Sequence, residues 1–130
     1  MRSNHGRNHC SIATSPDGGM TWSDVTFDET LIEPRCQASL IRYTPVNDDG
    51  ESLVLFSNPA STKRENMTVR LSRDDGQTRP TSRVLHEGPA AYSSLTVLKD
   101  GAIACLYERS QTNSYETITL ARFPLAWRRR

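Results

Sequence analysis

The chain has 130 residues, with 16 Lys and Arg against 15 Asp and Glu, a formal net charge of +1 and 35% hydrophobic residues. That length suffices for one domain with an ordinary core, and the balanced charge excludes an overall pull toward nucleic acid or anionic membrane. No apolar run is long enough to span a bilayer, and no secretory apolar segment follows Met1, so a soluble chain without membrane insertion is expected.

No segment carries a convincing helical period. The opening MRSNHGRNHC is polar and reads as the interior of a loop, so a longer parent is expected. Short runs with two-residue periodicity follow: CSIATS, SDVTFDET, SLIRYT, ESLVLFS, MTVRLS, SRVLHE, YSSLTVLK, AIACLYE and YETITLARF. They are rich in β-branched and aromatic residues, as strands are. Between runs lie PDGG, NDDG, RDDG and KDG. Asp and Asn bond their own backbone locally and Gly accepts positive φ, so these are turns. The runs they join are expected to form antiparallel hairpins.

One polar turn occurs twice, as SPDGGMTW at 15–22 and as SRDDGQTR at 72–79. Asp17 and Asp74 are placed to accept N–H groups of their own turns, and Gly19 and Gly76 to permit the reversal. Ser15 and Ser72 open the two copies. Trp22 is expected to fold back over the first turn. Arg79 stands in its place in the second, where that cover should be lost or reduced to an aliphatic stem. Each copy joins a third strand to a fourth, which gives a repeat of about 50 residues, the size of a four-stranded propeller blade. The chain divides accordingly: 1–31 is a partial blade with the first turn, 38–88 a complete blade with the second, and 91–124 three strands of the next. Such a slice cannot close a ring. It should expose sheet edges and apolar faces, and self-associate unless the preceding part of the propeller covers them.

Cys10, Cys36 and Cys105 cannot all pair, so no disulfide framework is implied, and Cys105 reads as a small core residue. His5, His9 and Cys10 match no structural zinc spacing. Asn66-Met67-Thr68 is a glycosylation acceptor triplet of consequence only in a secretory eukaryotic context. Four polar features remain. Arg64 sits in the connection between the second and third strands of the complete blade, either as part of a solvated loop with Lys63 and Glu65 or as a fork for a carboxylate or phosphate. Tyr92 begins a strand after small residues, where it either packs or acts as a nucleophile. A phenol ordinarily ionises near pH 10, so the second role needs an assisting carboxylate. Glu108 ends the strand AIACLYE. The opening loop carries Arg2, His5, Arg7, His9 and Cys10.

The paired Asp turns, the run KREN-MTVRLSRDDG, the segment PRCQASLIRY and the stretch AYSSLTVLKDG…IACLYE resemble the C-terminal part of a bacterial-type exo-sialidase (neuraminidase) with Asp-box, or BNR, repeats. The resemblance covers essentially the whole chain. It implies an all-β, partial six-bladed β-propeller built of four-stranded antiparallel blades. It implies hydrolysis of terminal sialic acid with retention, without metal or other cofactor, on a sialylated glycan or other acidic sugar. Arg64 would belong to the arginine cluster that holds the substrate carboxylate, Tyr92 would be the nucleophile, Glu108 would steady an arginine of the cluster, and Gln37 would line the pocket. The sequence gives no cellular location; the likeness leaves a secreted or periplasmic parent open. The chain departs from the pattern at Cys10, where the family carries a second arginine. The acid/base aspartate, the first arginine and the glutamate paired with the tyrosine would lie upstream of Met1. The isolated chain is therefore expected to be inactive. A non-catalytic glycan-binding or structural propeller, or a hydrolase of another acidic sugar, remains open at this point.

Overall fold

The computed structural model of the protein describes residues 6–43 and 52–126. Arg2, His5, the NDDG turn and the tail 127–130 lie outside them. Eight strands follow in order: β1 (His9–Ile12), β2 (Thr26–Ile32), β3 (Ser39–Tyr43), β4 (Leu53–Pro59), β5 (Glu65–Ser72), β6 (Thr81–Val97), β7 (Ile103–Arg109) and β8 (Thr117–Phe123). β1 and β2 form a two-stranded sheet, and β3 to β8 form one six-stranded sheet in chain order. Every neighbouring pair is antiparallel, as the turn sequences dictate. No helix among the described residues is long and apolar enough to cross a membrane.

The sheet curls because of β6. The runs SRVLHE and YSSLTVLK, read separately from the sequence, are one 17-residue strand. Its first half, Thr81 to Pro89, pairs with β5, and its second, Ala90 to Val97, pairs with β7. Two ladders thus share one strand without overlapping, and the second half turns back across the first sheet. Tyr43 donates its hydroxyl hydrogen to the Gly101 carbonyl at 2.9 Å, the Leu95 N–H donates to Ser39 Oγ at 3.0 Å, and the Ser57 and Ser93 hydroxyls share a hydrogen bond at 2.8 Å.

Between the two halves lies the main core. Leu53, Leu55, Met67, Val69 and Leu71 face Leu95, Ile103, Cys105, Tyr107 and Phe123. The alternation within each strand is that of a pleated sheet with one face inward. Leu53, Leu55, Met67 and Ile103 are fully buried, each contributing roughly 2 kcal/mol of hydrophobic stabilisation. The opposite face of β4 carries Phe56, which packs with Cys10 and Leu31 of the small sheet. β4 is thus covered on both sides. Asn58 joins the layers in polar fashion, donating to the Ile32 carbonyl at 2.8 Å and accepting from Arg70 at 3.2 Å.

All three cysteines are buried free thiols. The Asn66 triplet lies inside β5, with Thr68 buried and its hydroxyl bonded to the Asn66 carbonyl at 2.8 Å. On the outer face of β7 and β8, Leu106, Ile118 and Leu120 are exposed. Leu106 and Leu120 are cross-strand partners, so these side chains form a continuous apolar strip.

Candidate active site

Arg64 sits immediately before β5, at the end of the β4–β5 connection. A local frame holds its backbone: the Ala60 N–H donates to the Asn66 carbonyl at 2.9 Å and the Glu65 N–H to the Lys63 carbonyl at 2.8 Å. Asn66 takes a φ of 59°, and the ladder slips by a bulge between Glu65 and Met67. The Arg64 carbonyl accepts the Ala90 N–H at 2.9 Å. Arg64 is thereby tied to β6 two residues from Tyr92.

Tyr92 occupies a second irregularity. The β6–β7 register shifts between Ala90 and Ser93, and a bulge of this kind leaves ladder groups to be satisfied elsewhere. Side chains take them up. The Tyr92 N–H donates to Glu108 Oε2 at 3.1 Å. The Ser93 N–H donates to Gln37 Oε1 at 3.2 Å, and Gln37 Nε2 donates to the Ser93 carbonyl at 3.0 Å. The Gln37 amide therefore acts as an extra rung beside Tyr92. Of the four residues singled out from the sequence, all meet here: Arg64 and Tyr92 through their side chains, Glu108 and Gln37 through the backbone at Tyr92 and Ser93.

The Arg64 guanidinium carbon lies 5.6 Å from the centre of the Tyr92 ring, within cation–π range. It lies 5.7 Å from the Tyr115 ring and donates from Nη1 to the Tyr115 hydroxyl. Its Nη2 donates to the Arg35 carbonyl at 3.4 Å. Arg35 has a φ of 57° and terminates a turn that Glu33 organises by accepting the Cys36 N–H at 3.0 Å. Beneath the site the buried Cys36 thiol is pushed up to about 11 by desolvation, with the charge of Arg64 pulling the other way and that of Glu108 adding to the rise. It is therefore a neutral thiol.

Cys10, where an arginine was expected by resemblance, is 4% exposed and packed against Leu31 and Phe56. Desolvation raises its thiol to about 11, helped by the nearby charge of Glu33. Of the other opening-loop residues, Arg7 lies 4.6 Å above the Phe27 ring, and His9 is in β1 opposite Ile32. Among the described residues no cluster of His, Cys, Asp and Glu could hold a metal ion.

Sequence reasoning did not single out Tyr115 or Arg35. Tyr115 had a usable signal, because it lies in the connection from β7 to β8, the same second-to-third-strand position that Arg64 occupies one repeat earlier. Arg35 had none, since its contribution is a main-chain carbonyl.

Over 120 residues the chain is 43% identical to a sialidase of Micromonospora viridifaciens, an alignment covering 89% of this chain and 18% of that protein. It is 36% identical over 116 residues to a sialidase of Bacteroides fragilis, covering 85% of this chain and 21% of the relative. The solved structure of the Hadza microbial sialidase Hz136 superposes with a TM-score of 0.78 at 38% identity, over 97% of this chain and 24% of that one. The chain therefore spans only 18% and 21% of the length of the two sialidases. The curled all-β sheet is sialidase-like, and the Asp turns are BNR repeats. Residues 1–105 match the family described as the BNR repeat-like domain, and the chain belongs to that family.

Proposed function

We propose that the chain is the C-terminal portion of a six-bladed sialidase propeller with four-stranded blades, and that it supplies part of the active site of a retaining exo-sialidase. In this reading Arg64 binds the carboxylate of a terminal sialic acid and Tyr92 attacks the anomeric carbon. Glu108 and Gln37 hold the Tyr92 backbone at its bulge. The observation that carries it is the Arg64 guanidinium 5.6 Å from the Tyr92 ring, together with homology to sialidases on both sides of that pair.

The chemistry favours this pairing of residue types. The substrate acid is attached directly to the anomeric carbon, so a carboxylate nucleophile would approach a like charge. A neutral phenol avoids that repulsion, and sialidases are one exception to the two-carboxylate scheme of glycosidases. An arginine fork offsets the acid charge and fixes the ring for in-line attack. The carboxylate partner of the tyrosine takes the phenol proton as the oxygen bonds the anomeric carbon, and the Arg64 cation beside the ring favours the phenolate character of that oxygen before its charge passes into the new bond. The acid/base group, the partner of the tyrosine and the remaining arginines are proposed to come from chain outside these 130 residues. The exposed strip of Leu106, Ile118 and Leu120 is proposed to face a further blade. The isolated chain would then be inactive, and prone to self-association through that strip.

The burial of Cys10 favours one second reading, a propeller that binds acidic glycans without cleaving them. A fluorogenic sialoside assay on this chain and on an N-terminally extended polypeptide separates the possibilities. Turnover by the extended form alone, lost in Tyr92→Phe, is expected. Full activity of the extended Tyr92→Phe variant would reject Tyr92 as nucleophile. Turnover by the short chain, lost in its Tyr92→Phe variant, would reject the claim of inactivity. Sialoside binding without turnover in the extended form would select the glycan-binding reading.

A further inference from the structure

We infer that Tyr115 is a second ligand-binding group, donating its hydroxyl hydrogen to the same carboxylate that Arg64 grips. This deepens the reading of Arg64 as a carboxylate-binding residue and rests on it. Donor and acceptor inventory carries the inference. A guanidinium has only donors, so in the Arg64–Tyr115 hydrogen bond the phenol oxygen is the acceptor. The phenol hydrogen must then point to a different partner. Among the described residues no acceptor takes it, and Tyr115 is 59% exposed, with its ring beside Arg64. An anion drawn to Arg64 is the natural recipient: its oxygens accept, and the hydrogen bond from arginine polarises the phenol toward donation.

The position of the tyrosine is built. The β7–β8 connection is stitched internally: the Asn113 N–H donates to Ser110 Oγ at 2.9 Å, the Tyr115 N–H to Asn113 Oδ1 at 2.9 Å, and Asn113 Nδ2 to Glu116 Oε1 at 3.0 Å. Ser114 then docks the loop on the active site, donating its hydroxyl hydrogen to the Arg64 carbonyl at 3.2 Å. The loop and the arginine are thus joined at both backbone and side chain. Arg64 keeps N–H groups beyond those given to Tyr115 and Arg35, so arginine and tyrosine can present donors to one carboxylate together.

The test compares Tyr115→Phe with the parent protein in the N-terminally extended polypeptide. Two probes are titrated calorimetrically: free sialic acid and its uncharged carboxamide. Tyr115→Phe is expected to weaken binding of the acid by roughly tenfold, the size of a hydrogen bond to a charged group, while the carboxamide changes by less than about twofold, because a neutral amide gains less from the lost donor. On a sialoside substrate KM rises with kcat nearly unchanged, as for a contact made equally in ground and transition states. Equal affinity of Tyr115→Phe and parent for the acid would overturn the inference alone. Equal loss for acid and carboxamide would also overturn it, since that marks a merely structural tyrosine. A parent protein that binds neither probe would overturn the carboxylate-binding reading of Arg64, and this inference with it.

Discussion

The two Asp boxes are the same turn in different surroundings. In the first, Ser15 Oγ accepts the Gly19 N–H at 2.8 Å and Asp17 accepts the Thr21 N–H at 2.8 Å. In the second, Ser72 Oγ accepts the Gly76 N–H at 2.8 Å and Asp74 accepts the Thr78 N–H at 2.8 Å. They diverge at the last position. Trp22 folds back and donates its indole N–H to the Gly19 carbonyl at 3.1 Å, yet remains 62% exposed. Arg79 donates to the matching Gly76 carbonyl. It thus replaces the tryptophan as hydrogen-bond donor, where the sequence suggested only a lost or aliphatic cover. It also reaches across to Asp28 and Thr30 of β2. The turn requires an N–H donor over its glycine carbonyl, and the neighbouring sheet decides what else that donor does.

Breaking the second function should have the largest effect. The Arg79 side chain is 9% exposed and that of Asp28 17%, so removing the arginine strips the charged partner from Asp28 Oδ2 and leaves the carboxylate held, among the described residues, only through Oδ1, by the Thr30 N–H and hydroxyl. Arg79→Ala is expected to lower stability by about 3 kcal/mol, read from urea unfolding. Arg79→Trp sharpens the comparison, because it restores the donor to Gly76 without the reach to Asp28. It should recover only about 1 kcal/mol, the worth of one neutral hydrogen bond. Recovery of full stability by Arg79→Trp would show that the bond to Asp28 contributes nothing.

How far the sequence carried the reading follows from the same local physics. Hairpins and boxes were legible because alternation and Asp-Gly turns are properties of adjacent residues. The continuity of β6 was not, since Gly88-Pro89 reads as a break. Proline is tolerated there because Pro89 stands at the changeover, opposite Glu65 at the end of one ladder, just before the other begins at Ala90. Arg64 and Tyr92 came together as the family resemblance implied, though spacing alone left each with a bland alternative. The clasp of Arg79 and the second face of Tyr115 depend on side chains about fifty residues away, which no local pattern reports.

Acid should act on both boxes alike. Asp17 is lowered from 3.8 to about 2, chiefly by the Thr21 N–H, and Asp74 from 3.8 to about 2, chiefly by the Thr78 hydroxyl. A depressed folded value means that the ionised form stabilises the fold. The contribution is complete above the unfolded value of 3.8 and is lost as pH falls through about 2. Asp17→Asn and Asp74→Asn should each flatten the dependence of the unfolding midpoint on pH across that window. A pH profile unchanged by both substitutions would show that the boxes are not the acid-sensitive elements.

The smallest effect concerns the residue inside each turn that adopts the left-handed conformation. Gly18 has a φ of 70°, and the equivalent Asp75 manages the same region at 57°. A Cβ built on Gly18 meets nothing within 4 Å, so any penalty there is backbone conformation alone. Gly18→Ala should cost about 1 kcal/mol, the left-handed penalty of an ordinary L-residue. Gly18→Asp should cost about half that or less if a short polar side chain hydrogen-bonds locally in this region, the region Asp75 occupies in the second box. Urea midpoints for the two variants decide the matter: if aspartate is no better than alanine at Gly18, then Asp75 is held left-handed by its tertiary partners, Arg42 at 2.9 Å and Ser52 at 2.6 Å, and not by its own side-chain chemistry.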